Sequence, residues 1–405
     1  MIKCKVDYKK ISCLIIMVLL LLQDILQIYI QPLKYTDELT ALILFLMAAV
    51  MIFKYPDRLH KREKLIIPIL FIYFVTGIIM QLNNNYQPIK IAALDFYLNF
   101  KFLCIYLGAR VVFNDTKVLK EKKGALITFL KASSIVLILI YILNYIFKFF
   151  PMAEGRLGFQ SSWLMFSHST YLIVYCVTVI YLLTVNDYKR NLPYILLNLM
   201  AIFLTAKFKG IGFIVAYAAL YAIFIWKDRK VNFKQIIIAG ILVSVALSPL
   251  LYSRLKIATQ ARPVMYQTSV QIAKDYFPLG TGYGTFASAF SAKEYSPVYK
   301  LYNINKVYGI SEKKSSFVCD AYWAMILGQT GVIGFVLFIV ILIIVCLNIV
   351  KVKTSFREKY ILAIPLLYLL ISSFGESSFS NIFGVSLFFL FALHLNEVEG
   401  LSKNL

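Results

Sequence analysis

Apolar runs separated by short polar turns recur from one end of the 405-residue chain to the other. An α-helix needs about 20 apolar residues to cross the hydrocarbon of a bilayer. Read on that scale, the pattern predicts about twelve membrane-spanning helices. They fall at 11–30, 39–53, 65–82, 91–109, 125–147, 163–185, 192–206, 208–226, 235–252, 322–350, 359–373 and 380–395. The pair covering 192–226 is short enough to be a re-entrant hairpin instead of two full spans. The fold class expected is an all-α polytopic membrane protein. It has an N-terminal membrane bundle over 1–252, one large loop with short helices over 253–321, and a C-terminal bundle over 322–405. The first run is longer than a signal-peptide core and has no small-residue cleavage site, so it is expected to be retained.

Composition sharpens this picture. Hydrophobic residues make up 60% of the chain and charged residues 15%, which excludes an ordinary soluble domain. A net charge of +22 would point to nucleic acid in a soluble protein. Here the lysines and arginines crowd into alternate connections, such as KYPDRLHKREK (54–64) and KVKTSFREK (351–359). That bias orients a membrane protein with its basic loops inside. Both termini are then cytoplasmic, the segment 253–321 lies outside the cell membrane, and no nucleic-acid partner is expected. The six cysteines show no metal-ligand spacing, and neither a metal nor a cofactor is expected.

A connection of about 70 residues is long, and such loops are commonly functional or disordered. This one is dense in tyrosine and phenylalanine from Tyr266 to Phe317, which predicts a folded unit packed on the bundle. Residues 261–275 suit an amphipathic helix stopped by Pro278 and the glycines that follow. In "FPLGTGYGTF", Gly280, Gly282 and Gly284 fit neither the P-loop nor the dinucleotide-binding spacing. They are read first as a tight turn between short helices. The second reading is a close backbone approach to a phosphate or sugar.

Around that turn the sequence resembles the O-antigen polymerase and O-antigen ligase superfamily of bacterial membrane proteins. The likeness is carried by Arg262, Asp275, Pro278, Gly280, Gly282, Gly284 and Phe286, then by Asp320, Trp323, Leu327, Gly331 and Gly334 entering the next span. It covers roughly residues 254–340, and the span layout agrees along the chain. The resemblance implies glycan transfer from undecaprenyl pyrophosphate at the outer face of the bacterial cytoplasmic membrane. The implied partners are undecaprenyl-pyrophosphate-linked oligosaccharides and membrane lipids, with a chain-length regulator and a flippase as further candidates. A polymerase would join the glycan to another lipid-linked repeat unit, destined for capsule, exopolysaccharide or O-antigen. A ligase would pass it to a different acceptor.

Such a reaction expels a pyrophosphate, so it needs cations on the outer side. Arg156, Lys207, Lys209, Arg254 and Arg262 stand there against the positive-inside trend and are the expected pyrophosphate-binding set. Arg262 matches the arginine that the resemblance places before the turn. Lys207 and Lys209 depart from the arginine of the family's pattern; lysine neutralises phosphate without gripping it bidentately. For the acceptor proton the candidates are Asp320, Glu376 and His168, the last expected about one and a half turns down the sixth span. His168 is read first as a helix–helix hydrogen-bonding group. The large loop has no histidine of the kind associated with ligases, which favours the polymerase. Tyr266 and Tyr283 are expected to contact sugar.

Asp24, Asp95, Lys101 and Lys131 interrupt apolar runs and are read as structural, each with a partner elsewhere in the bundle. A twelve-span lipid-linked oligosaccharide flippase or transporter is the rival from a different class. It lacks support from any internal repeat, because the two halves share no second glycine turn.

Overall fold

The computed structural model describes residues 7–120, 124–153, 160–222 and 260–402. The expected span at 235–252, the first residues of the large loop, Arg156 and Arg254 lie outside the described residues. What is described is helical almost throughout; one short ladder pairs Met152–Ala153 with Ser161–Ser162. Helices satisfy their backbone groups internally, which is why apolar segments of this composition take no other form in a bilayer.

The long helices are α1 (Tyr8–Tyr29), α2 (Thr36–Lys54), α3 (Ile66–Asn84), α4 (Ile89–Val112), α5 (Ala125–Phe147) and α6 (Ser169–Asp187). After them come α7 (Leu192–Leu204), α8 (Phe208–Leu220), α9 (Ala261–Asp275), α10 (Tyr322–Lys351), α11 (Phe356–Ser373) and α12 (Ile382–Ser402). Eight stretches among them are long and apolar enough to cross a membrane. The protein is thus a helical membrane-embedded chain. Helices α4, α6 and α12 are buried along most of their length, whereas α1, α2, α3 and α5 show apolar side chains outward. In a bilayer that outer surface meets lipid, so burial separates a central group of helices from a lipid-facing rim.

Helices α7 and α8 meet at Thr205–Lys207, where Ala206 takes a left-handed φ of 50°. With 13 residues at 1.5 Å each, α7 is about 20 Å long, short of the roughly 30 Å hydrocarbon layer, as the hairpin reading of 192–226 allows. One expectation about the spans needs correction. The sixth span does not begin at 163. Residues 163–168 form a loop with Leu164 at φ 53°, and Ser167 is tied to Asp24 of α1 through its N–H (2.9 Å) and hydroxyl (2.5 Å). Helix α6 starts at Ser169, with His168 as its cap: the imidazole accepts the Thr170 N–H at 3.3 Å. Apolar side chains in a packed loop mimicked the first turns of a span.

The segment 260–321 folds onto one end of the bundle, called the loop end below. Helix α9 packs on α10. Short helices follow at Ala289–Lys293 and Val298–Leu301, and a single 3-10 turn at Val318–Asp320 leads into α10. The glycine turn is wedged beneath them. Thr281 and Gly282 donate their N–H groups to the carbonyls of Gly328 (3.0 Å) and Gln329 (2.9 Å) in α10. There Gly331 breaks the helix with a φ of 61°, and a β-carbon on it would collide with Leu279 and Pro278. Asp95 of α4 accepts the Gly284 N–H at 3.0 Å and the Asn99 amide at 2.9 Å. A membrane-embedded carboxylate therefore anchors the turn, and Lys101 of the same helix pairs instead with Asp37 and Glu38 of α2. Lys131 sits over the ring of Tyr194.

Candidate functional site

Arg262 occupies the first turn of α9, the position that an amphipathic helix starting at Ala261 gives it. Its Nη2 donates to Asp320 Oδ2 at 2.7 Å. Asp320 closes the 3-10 turn that delivers the chain into α10. Burial pushes its carboxyl above the usual aspartate range, against the opposing pull of Arg262, Lys209 and Lys207. Three of the expected cations thus act on one expected carboxylate.

A second polar group lies beside the first. Glu376 stands in the turn between α11 and α12, and its Oε1 accepts from the Thr170 hydroxyl at 2.6 Å and from Lys209. Lys209, in the first turn of α8, also donates to Thr170. His168 Nδ1 is 3.0 Å from the same hydroxyl. The two groups adjoin through the turn at 374–377: Gly375 faces the Arg262 guanidinium, Tyr266 donates to the Phe374 carbonyl at 3.2 Å, and Ser377 donates to the Cys319 carbonyl at 2.6 Å. Five separate stretches of chain therefore place Arg262, Asp320, Lys209, Glu376, Thr170 and His168 together at the loop end.

Two atoms in this cluster remain open. Arg262 Nε and Glu376 Oε2 are buried and have no hydrogen-bond partner among the described residues. A buried donor and a buried acceptor without partners cost stability unless something else meets them. A guanidinium can stabilise an anionic oxygen and a carboxylate can take a proton, so the cluster holds the two functions that transfer from a phosphorylated donor requires.

The sequence reading placed other residues less well. His168 is at the mouth of α6, exposed, and not one and a half turns inside it. Tyr283, expected against sugar, is 1% exposed and its hydroxyl donates to the Tyr73 carbonyl at 2.6 Å. Its ring has no free face, so it is a packing residue. Gly280, Gly282 and Gly284 are buried against α3, α4 and α10, not against an open cleft. They shape the turn, and the close approach they allow is to protein backbone. Tyr266 keeps its place beside the cluster. Thr170 was missed; a hydroxyl two residues past a helix-capping histidine was the available signal. Among the described residues, no group of three or more His, Cys, Asp or Glu is placed to hold a metal ion.

Compared with known proteins, the chain matches no family model and no curated protein, and the reading of this site rests on its own residues.

Proposed function

We propose that the chain is a polysaccharide repeat-unit polymerase of the bacterial cytoplasmic membrane. It moves a glycan from undecaprenyl pyrophosphate onto another lipid-linked repeat unit at the outer face. The loop end faces outward in this reading, with both termini in the cytoplasm, because the basic connections gather at the opposite side.

The observation that carries the proposal is the meeting of Arg262 and Lys209 with Asp320 and Glu376 at one end of a membrane bundle. Transfer breaks the bond between the sugar's anomeric carbon and a pyrophosphate oxygen, and forms a bond from that carbon to an acceptor hydroxyl oxygen. The leaving pyrophosphate gains negative charge, which Arg262 offsets with Lys207 and Lys209 nearby. The acceptor hydroxyl loses its proton to Glu376, whose Oε2 is open while Oε1 is held by Thr170 and Lys209. Lys209 and Thr170 orient the carboxylate, and Asp320 orients Arg262. No cofactor enters these steps.

Deleting the gene and sizing the lipid-linked glycans tests the proposal. Single repeat units accumulating on outward-facing carriers, with no long polymer, are the expected result. Long polymer left on its carrier would make the protein a ligase-type transferase. Single units held on the inner face would make it a flippase or transporter.

A further inference from the structure

The opposite end of α9 carries a second polar cluster that the transfer site does not use. Asp275, the last residue of α9, is exposed; its Oδ2 accepts the Tyr302 hydroxyl and its Oδ1 the Gln271 amide, each at 2.8 Å. Tyr276, the next residue, has its hydroxyl 2.5 Å from that of Tyr86, which belongs to the turn between α3 and α4. The Tyr86 and Tyr276 rings meet edge to face, with centroids 6.4 Å apart. Three tyrosines from three separate stretches of chain thus gather around one surface carboxylate.

Their exposure sets them apart from the two tyrosines that form the core of the loop segment. Tyr283 and Tyr299 are packed inside, at 1% and 0% exposure. Tyr86, Tyr276 and Tyr302 are only partly covered, and Phe277 beside them is 71% exposed. A folded unit that needed these rings only for packing would enclose them as it encloses Tyr299. At the end of α3, two residues before Tyr86, the side-chain nitrogen of Asn84 is buried with no partner among the described residues.

We infer that Asp275, Tyr86, Tyr276 and Tyr302 form a carbohydrate subsite, separate from the transfer site. A pyranose ring offers an apolar C–H face and a rim of hydroxyls. Tyrosine rings match the face, while phenol hydroxyls and a carboxylate with spare lone pairs match the rim. Arg262 and Asp275 are thirteen positions apart along α9, which sets the two sites about 20 Å apart. The subsite therefore holds a sugar well beyond the one at the transfer point, and helix α9 fixes the spacing. This inference rests on the transferase reading for its ligand class.

Binding tests it without any turnover. The probe is the oligosaccharide freed by mild acid from the lipid-linked glycans of the strain that encodes the chain. Saturation-transfer NMR measures its binding to the purified full-length protein in nanodiscs. Tyr276→Ala and Asp275→Asn are each expected to weaken binding by about tenfold, the scale of a lost hydrogen bond to a charged group. Tyr302→Phe, which removes only a hydroxyl, serves as the measured variant if Tyr276→Ala does not insert. Equal binding by all the subsite variants would overturn the subsite, and so would absence of binding to the wild type. The transferase reading fails separately, if deletion of the gene leaves the lipid-linked glycans unchanged.

Discussion

Arg262 and Asp320 are 58 positions apart in sequence, yet the guanidinium reaches the carboxylate at 2.7 Å where the large loop returns to the bundle. Arg262→Ala removes the cation and leaves helix α9 otherwise intact. The expected result is loss of polymer by roughly 100-fold or more, the scale seen when one preorganised charge donor is removed from an active site. Arg262→Lys should recover part of it, because a point charge replaces a fork. Immunoblots of membranes should show wild-type amounts of both variants; undiminished polymer with Arg262→Ala would remove this residue from the mechanism.

Asp320 gives the pH dependence. Its folded-state pKa is raised, so the folded protein binds this proton more tightly than the unfolded chain does. The carboxyl then favours the folded state at pH below the ordinary aspartate range near about 3.9, and that contribution is lost as pH rises through the raised value. For activity the sign is the reverse, because pairing with Arg262 needs the carboxylate. Polymerisation should fall on the acid side at a higher pH than an ordinary aspartate would give. A pH profile of Asp320→Asn should lack that limb; the same limb in the variant would assign it to another group.

Glu376→Gln keeps a side chain of the same shape for Lys209 and Thr170 and removes the proposed proton acceptor. The turnover rate should drop by about 10²–10⁴, the usual range for general-base loss, with little change in KM. A change confined to KM would make Glu376 a binding residue instead of a base.

The glycine turn and its anchor should matter for stability. Asp95→Ala leaves the Gly284 N–H and the Asn99 amide without their acceptor, at about 1–3 kcal/mol for each buried group. Gly331→Ala puts a β-carbon against Leu279 and Pro278 at a left-handed φ of 61°. Thermal unfolding in detergent should show lower midpoints for both. An unchanged midpoint for Asp95→Ala would mean that the turn stands without its anchor.

Tyr283→Phe separates packing from sugar contact. The variant loses one hydroxyl donated to the Tyr73 carbonyl, which also accepts from Thr76, so the net cost is about 0.5–1.5 kcal/mol. Carbohydrate binding and polymer yield should stay at wild-type levels. A fall in sugar affinity without a fall in thermal midpoint would restore Tyr283 to the binding surface.

Much of this architecture was legible because bilayer-length apolar runs leave helices as the main solution. The runs 11–30, 125–147 and 322–350 became α1, α5 and α10 with ends shifted by a few residues. The misplacement of the sixth span has one physical cause: a loop packed inside a membrane protein is as apolar as a span. Residues 163–168 looked helical for that reason, and so His168 was set too deep. In the candidate site, Arg262, Asp320, Lys209 and Glu376 could be picked out because they are the charged residues of short connections between apolar runs and of the ends of the large loop. Their pairing could not be read, since it joins Lys209 to Glu376 across 167 positions. Asp95 shows the same limit: its partner Gly284 lies 189 residues away. Tyr283 failed because an aromatic residue in a loop reads alike whether it packs inward or faces a ligand. Tyr86, on a different turn from the rest of its cluster, carried no signal toward Tyr276.

The most direct measurement is reconstitution of the purified chain in proteoliposomes with lipid-linked repeat units on the outer leaflet. Carrier pyrophosphate released and glycosidic bonds formed are counted together. One released carrier for each new bond, lost with Arg262→Ala and with Glu376→Gln, is the predicted result. Repeat units that cross the bilayer with no new bond, or that stay unjoined, would contradict the account.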